Sequence, residues 1–205
     1  METTHTRVAI ATASSVGGLQ RYDAEHDFLF QLQYPGRARG KEFREFVTLY
    51  KFPLYLGDHV AALGFRPLLV KTKKRVALDF VERLNTNTQG FRVEPTSVDF
   101  VALRPRLQLI RGAWFGSIRM PNISSAGVFG HHVDQSEEFQ HAESVGELKN
   151  LLIELELDGL THQVMITADG GIVLYHAYQT DEECEEMARR TLIELLHGCI
   201  RKVEG

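Results

Sequence analysis

The sequence predicts an α+β protein whose sheet is mostly antiparallel. Apolar and polar residues alternate through a C-terminal three-strand meander at about residues 150–178, which is typical of strands buried on one face. An amphipathic helix at about residues 181–197 follows and would cover that meander. The alternation also argues against a purely parallel sheet, whose strands are apolar on both faces.

The N-terminal elements are predicted from the spacing of their apolar residues. Arg7–Ala13 and Asp27–Tyr34 read as strands, the second ending at the turn signal Pro35-Gly36, and Leu68–Val70 reads as a short buried strand. Residues 40–52 have helical spacing before Pro53, and residues 72–85 place one apolar face on a second helix.

The middle of the chain leaves alternatives open. Residues 97–111 fit either a helix interrupted at Pro105 or two short strands, while residues 113–119 and 125–130 read as short strands or strand edges. In the meander, Asp158-Gly159 and Asp169-Gly170 are turn signals, and Asp169-Gly170 is expected to form a type I′ turn. Thr180 and Glu183 form a capping box for the last helix, which is expected to end at Gly198.

Composition indicates a folded cytoplasmic protein. A chain of 205 residues predicts one domain, residues 1–205, with an alternative division near residue 120. No apolar run is long enough to cross a membrane, and the N-terminus lacks the features of a secretory signal. Two cysteines argue against a disulfide scaffold, so we expect a reducing compartment.

Charge is distributed unevenly along the chain. Residues 1–120 contain 18 Lys and Arg and 11 Asp and Glu, a net charge of +7. Residues 121–205 contain 5 and 16, a net charge of −11. The pattern is consistent with an anionic partner, with attraction between subunits of a homo-oligomer, or with charges that interleave on one surface.

Two basic clusters are candidate anion-binding sites. The first is a glycine-flanked turn with Arg37, Arg39, Lys41 and Arg44, and the second is Lys73, Lys74 and Arg75 at the start of the second helix. The turn lacks the spacing and the Ser/Thr of a phosphate-binding loop. Nucleic acid or another polyanion is the expected partner, with Tyr34, Phe43, Tyr50 and Trp114 as candidate stacking residues. The alternatives are a solvated basic loop and core packing for Phe43 and Tyr50.

The segment FGHHVDQSEEFQH is a candidate metal site. His132, Asp134 and His141 are the candidate ligands for a divalent transition metal, with Glu137 or Glu138 as a ligand or catalytic base of a hydrolase. The alternative is a capped helix start, in which Asp134 or Ser136 is the N-cap and the two glutamates favour the helix dipole.

Three functions are consistent with these patterns. The whole-chain charge partition favours a binding or regulatory module that engages an anionic partner through its basic N-terminal region. The alternatives are a metal-dependent hydrolase centred on residues 131–141 and an oligomerising structural protein.

Overall fold

A long antiparallel hairpin is the largest feature of the first part of the chain in the computed structural model, which describes residues 5–16, 18–38, 40–57, 65–90, 92–175 and 178–203. Its strands are β2 (Leu19–Ala38) and β3 (Lys41–Gly57). The sheet order is β1-β2-β3-β4, where β1 is Thr6–Val16 and β4 is Leu68–Val70, and all neighbours are antiparallel. The strands predicted at residues 7–13 and 68–70 are confirmed.

One helix, α1 (Lys74–Asn87), packs on one face of this sheet. Val76 and Phe80 are its buried residues, as the predicted apolar face requires. They form a core with alternate residues of the long hairpin, which are Ala24, Phe28, Phe52 and Leu54. The alternation follows from the period of two in a strand, which places every second side chain on the helix-covered face.

The predicted helix at residues 40–52 is wrong, because the whole segment belongs to strand β3. The spacing of its apolar residues fits both a helix and a strand. Pairing of β3 with β2 supplies hydrogen-bond partners for the backbone of both strands, and α1 covers one face of the pair. The predicted strand end at Pro35-Gly36 is also wrong, since β2 continues to Ala38. The pairing is irregular between Gln31 and Gly36, which is where a sheet tolerates a proline without a backbone donor.

The chain divides into two compact units, Met1–Val93 and Glu94–Gly205. The uneven charge had suggested a division near residue 120 as the alternative to one domain, and the boundary between the compact units lies earlier, after Val93. That all 205 residues form one domain stays a prediction. The first unit contains 14 Lys and Arg and 9 Asp and Glu, a net charge of +5. The second contains 9 and 18, a net charge of −9, so the two units still carry opposite net charge.

The second unit contains a five-stranded antiparallel sheet in the order β10-β9-β8-β6-β7. Its strands are β6 (Leu109–Gly116), β7 (Ala126–Phe129), β8 (Glu147–Leu157), β9 (Leu160–Thr167) and β10 (Ile172–Leu174). A separate antiparallel pair joins β5 (Thr96–Val98) to β11 (Ile200–Lys202). The helices are α2 (Phe100–Leu103), α3 (Glu137–Val145) and α4 (Asp181–Arg190), with 3-10 turns at Arg104–Arg106 and Val133–Gln135 and a π-helical turn at Thr191–Leu195.

The predicted meander and C-terminal helix are confirmed. Thr180 accepts a hydrogen bond from the Glu183 backbone N–H at 3.2 Å and so caps α4. Beyond α4, Leu196 is buried in the same core cluster as Val164 and Ile166 of β9. Among the described residues, no helix combines the length and the apolar composition needed to cross a bilayer.

The type I′ turn was predicted at Asp169-Gly170 but forms at Asp158-Gly159. Leu157 pairs with Leu160, and both residues between them, Asp158 and Gly159, have positive φ angles of 54° and 76°. At the second turn Gly170 has a φ of 81°, but Asp169 is not left-handed. That turn is instead closed by hydrogen bonds between Thr167 and Gly171.

Candidate nucleic-acid interface

The first predicted anion site is the tip of the β2–β3 hairpin, and not a turn that leads into a helix. Arg37 donates to Glu42 Oε1 from Nε at 3.1 Å and from Nη2 at 2.8 Å, so an acidic neighbour already occupies its guanidinium. Lys41 and Arg44 are exposed, and Arg39 lies outside the described residues. The tip therefore offers fewer uncompensated cations than the sequence suggests.

The second basic cluster lies at the start of α1, as predicted. Lys73 is the residue before the helix, while Lys74 and Arg75 are its first two residues; all three are exposed. Cations at this end oppose the helix dipole. Cation–π contacts within the first unit counteract this unfavourable interaction. The Lys73 ammonium lies 5.8 Å from the centre of the Tyr50 ring, and the Arg75 guanidinium lies 6.0 Å from the centre of the Phe28 ring.

These two rings belong to an aromatic cluster on the same face of the hairpin. Phe30 and Phe46 face each other across the strands and stack with centroids 5.0 Å apart and planes 11° apart. Phe28 lies edge-on to Phe30 at 4.7 Å, and Tyr50 lies 6.3 Å from Phe30. Phe28 is buried, whereas Phe46 is 40% exposed and Phe30 and Tyr50 are half-buried. The cluster thus runs from the core to solvent.

Arg44 extends the charge of this face beyond the rings. It precedes Phe46 by two residues in β3, so both side chains leave the strand on the same side. We call Arg44, Phe30, Phe46, Tyr50, Lys73 and Arg75 the basic–aromatic face. Phe28, Phe30 and Phe46 were not among the candidate stacking residues, although the alternation in DFLFQLQY was a signal for two of them.

The other predicted contributors to this surface lie elsewhere. Tyr34 is 76% exposed on the hairpin, and Phe43 lies in β3 opposite Gly36. Trp114 belongs to the second unit, where it packs edge-on to Phe129 at 4.8 Å. Two arginines of the basic segment 1–120 are also neutralised within the second unit, where Arg104 pairs with Glu143 at 3.0 Å and Arg111 pairs with Glu154 at 3.3 Å.

The predicted metal segment forms a capped helix start. Ser136 is the N-cap of α3 and accepts a hydrogen bond from the Phe139 backbone N–H at 3.1 Å, while Glu137 and Glu138 occupy the first turn. His132 is exposed with a left-handed φ of 49°, and Asp134 is half-buried in the 3-10 turn before the cap.

His141, the third predicted ligand, is exposed on α3. Within the part of the chain that the structure describes, no group of three or more His, Cys, Asp or Glu side chains is arranged to hold a metal ion. The metal site and the role of Glu137 or Glu138 as a catalytic base therefore stay predictions without geometric support.

A buried histidine in the first unit was missed from the sequence. His26 is fully buried, with Nε2 at 2.8 Å from Asp79 Oδ2 of α1 and Nδ1 at 2.9 Å from Thr6 Oγ1 of β1. The same Asp79 oxygen lies 3.3 Å from Arg83 Nε. Burial lowers the pKa of His26, and it outweighs the opposing effect of the hydrogen bond to Asp79.

Comparison with protein-family models, with curated proteins and with solved structures finds no match to this chain.

Proposed function

We propose that the first unit binds single-stranded nucleic acid through the basic–aromatic face. One observation supports this most: the cations of the α1 start lie against rings that continue into a partly exposed stacked pair, Phe30 and Phe46. Cations that neutralise phosphates next to rings on which bases stack are the combination that proteins use for single strands. The net charge of +5 on this unit favours the same partner.

Binding to a short fluorescent oligothymidylate, followed by anisotropy, tests this function. We expect saturable binding that weakens as salt increases, because phosphate binding releases counterions. Heparin, which has charge but no bases, serves as the competitor. If stacking contributes, Phe46→Ala weakens oligothymidylate binding and leaves heparin binding unchanged, since Phe46 is 40% exposed and offers only its ring.

The matched control lies on the opposite face of the same strand. Lys51 lies at an odd spacing from Phe46 in β3, so its side chain leaves the strand on the opposite side. It pairs with Glu25 at 2.6 Å. Lys51→Gln removes one positive charge from the unit without touching the basic–aromatic face. Equal losses for Lys51→Gln and for substitutions in the face would argue against a defined site, and absence of oligothymidylate binding at low salt would overturn the proposal.

Self-association is a second candidate, supported by a different surface. Leu29, Val47 and Leu49 lie on the opposite face of the hairpin from the aromatic cluster and are 38%, 40% and 51% exposed. The opposite net charges of the two units would favour contact between copies of the chain. Sedimentation equilibrium would then show a dimer or larger species that dissociates as ionic strength rises or on Leu49→Ser; a monomer under all conditions would contradict it.

A further inference from the structure

One edge of the four-stranded sheet in the first unit is open along much of β3. β4 pairs with β3 at residues 54–56, and the chain leaves this edge after the Lys71 N–H donates to the Pro53 carbonyl oxygen at 3.1 Å. Among the described residues, no strand pairs with this side of β3 at residues 45–51. We call residues 45–51 the open β3 edge.

The backbone of the open β3 edge is oriented to accept another strand. In an antiparallel sheet, the N–H and C=O groups of successive residues point alternately to the two sides of a strand. Pro53 and Gly57 form their hydrogen bonds on the β4 side, and the pairing of β3 with β2 is regular through residues 45–57. The same alternation therefore directs the backbone groups of Val47 and Leu49 to the open side.

The side chains of this edge do not protect it from another strand. Natural edge strands commonly carry charges or proline that discourage pairing with other chains. Residues 46–50, FVTLY, are uncharged, and most are of the aromatic and β-branched types that favour strands. Val47 and Leu49 are 40% and 51% exposed. The charged residues of the edge are Glu45 and Lys51, one at each end, and both are exposed.

The two charged ends make the edge complementary to itself. When two copies pair antiparallel about Thr48, Glu45 of each copy lies opposite Lys51 of the other. A shift of two residues in either direction would place Lys51 opposite an apolar residue, so the charges favour this register. The register also fits the available length, because the pairing of β3 with β2 becomes irregular beyond Glu45 and Lys71 occupies this side of β3 at Pro53.

The uncharged residues between the two ends form matching pairs in the same register. Val47 lies opposite Leu49 of the second copy, and their backbone groups point at each other, so this is a hydrogen-bonded pair. Phe46 lies opposite Tyr50 of the second copy in a non-hydrogen-bonded pair, where side chains approach most closely. Cross-strand pairs of aromatic residues and of opposite charges stabilise antiparallel sheets.

We propose that two copies of the chain pair through the open β3 edge, about a two-fold axis at Thr48, and join their four-stranded sheets into one continuous sheet. This inference rests on the self-association that is the second candidate function above, and it specifies the contact. Because both copies use the same edge, the contact closes as a dimer and does not extend into a filament. The axis is perpendicular to the sheet, so the basic–aromatic faces of both copies lie on one side of the dimer.

Charge reversal in the full chain tests the register. Glu45→Lys and Lys51→Glu each place like charges opposite each other at both ends of the edge, so each variant alone should dimerise about tenfold more weakly than the native chain. An equimolar mixture of the two variants should regain dimerisation, because every lysine again lies opposite a glutamate. Sedimentation velocity with a fluorescent label on one variant measures the mixed dimer.

The mixture also controls for effects within one chain. Lys51 contacts Glu25 of its own chain at 2.6 Å, and Lys51→Glu removes that contact. A second chain cannot repair it, so recovery of dimerisation in the mixture reports on the contact between copies. A native dimer whose two variants do not recover on mixing would overturn the proposed pairing.

Val47→Pro tests the backbone hydrogen bonds of the edge. The Val47 N–H points to the open side, and an edge strand tolerates proline there, so the variant should stay folded by circular dichroism. Dimerisation should weaken about tenfold or more, because each copy loses one hydrogen bond to the other. Val47→Ala keeps the N–H and is the matched control, for which we expect a smaller effect. Equal effects of the two substitutions would contradict pairing through the backbone.

The outcomes separate this dimer from self-association in general. A native chain that stays monomeric at every concentration would rule out both. A native dimer that is weakened by Leu49→Ser, but not by charge reversal or by Val47→Pro, would leave self-association standing and refute the contact through the open β3 edge, because the copies would then meet through the exposed face of the hairpin.

Discussion

Replacing Lys73 and Arg75 together by glutamine tests the proposed nucleic-acid interface most directly. The basic–aromatic face contains three cations, because Arg44 adds to the two that lie over the rings of Tyr50 and Phe28. For single strands the logarithm of the binding constant falls with the logarithm of salt with a slope of about −0.7 per phosphate contact, which gives a slope of about −2 for three contacts. The double variant retains one contact and a slope of about −0.7.

These slopes give a measurable difference between the two proteins. Between about 50 and 200 mM salt, the native chain should lose about 20-fold in oligothymidylate affinity and the double variant about threefold. Fluorescence anisotropy at several salt concentrations measures both slopes, and Lys51→Gln serves as the control on the opposite face of β3.

The fold should tolerate the double substitution. Loss of the two cation–π contacts costs about 0.5–1 kcal/mol each, and removal of two cations from the positive end of the α1 dipole returns about 0.3–1 kcal/mol each. The free energy of unfolding should therefore change by no more than about 1.4 kcal/mol. An unchanged salt slope in a folded double variant would refute the assignment of the phosphate contacts to this face.

Three further predictions concern stability. Burial lowers the pKa of His26 below its unfolded value of 6.5, so its contribution to stability is complete above pH 6.5 and is lost as pH falls from there through the folded pKa; in urea unfolding His26→Gln should flatten this part of the profile, and parallel profiles would contradict it. Phe80→Ala should cost about 3–5 kcal/mol because Phe80 is fully buried, whereas Leu78→Ala, at a residue 56% exposed on the same helix, should cost far less in the same assay. Ser136→Ala should cost about 1 kcal/mol by loss of the α3 cap, and the exposed Ser144→Ala should change the midpoint little; equal losses would exclude a capping effect.

Local patterns predicted the elements that need few long-range partners. The Thr180 cap of α4, the Ser136 cap of α3 and the apolar face of α1 were all readable, because capping and helix amphipathicity depend on residues within one or two turns. The choice between the two turns of the meander was read incorrectly. A Gly after Asp fits a type I′ turn at both positions, and the pairing of the flanking strands selected Asp158-Gly159.

The candidate sites depended on contacts that are distant in sequence. The two basic clusters stay predictions as anion sites, and the aromatic rings beside the second cluster became evident only from the pairing of Phe30 with Phe46 and the packing of α1. The candidate metal ligands were close in sequence, yet a turn and a helix start explain the segment by local hydrogen bonds.

The sequence by itself determined the antiparallel α+β class, the C-terminal meander with its capped helix, and the uneven charge of the chain. Only the tertiary structure decided that residues 41–57 form a strand, because their apolar spacing fits both a helix and a strand until β2 and α1 provide partners. The tertiary structure also decided which polar side chains form hydrogen bonds. Thr6, His26 and Asp79 are far apart in the chain, and sheet pairing and the packing of α1 bring them within hydrogen-bond distance. A local sequence pattern cannot predict contacts of this kind.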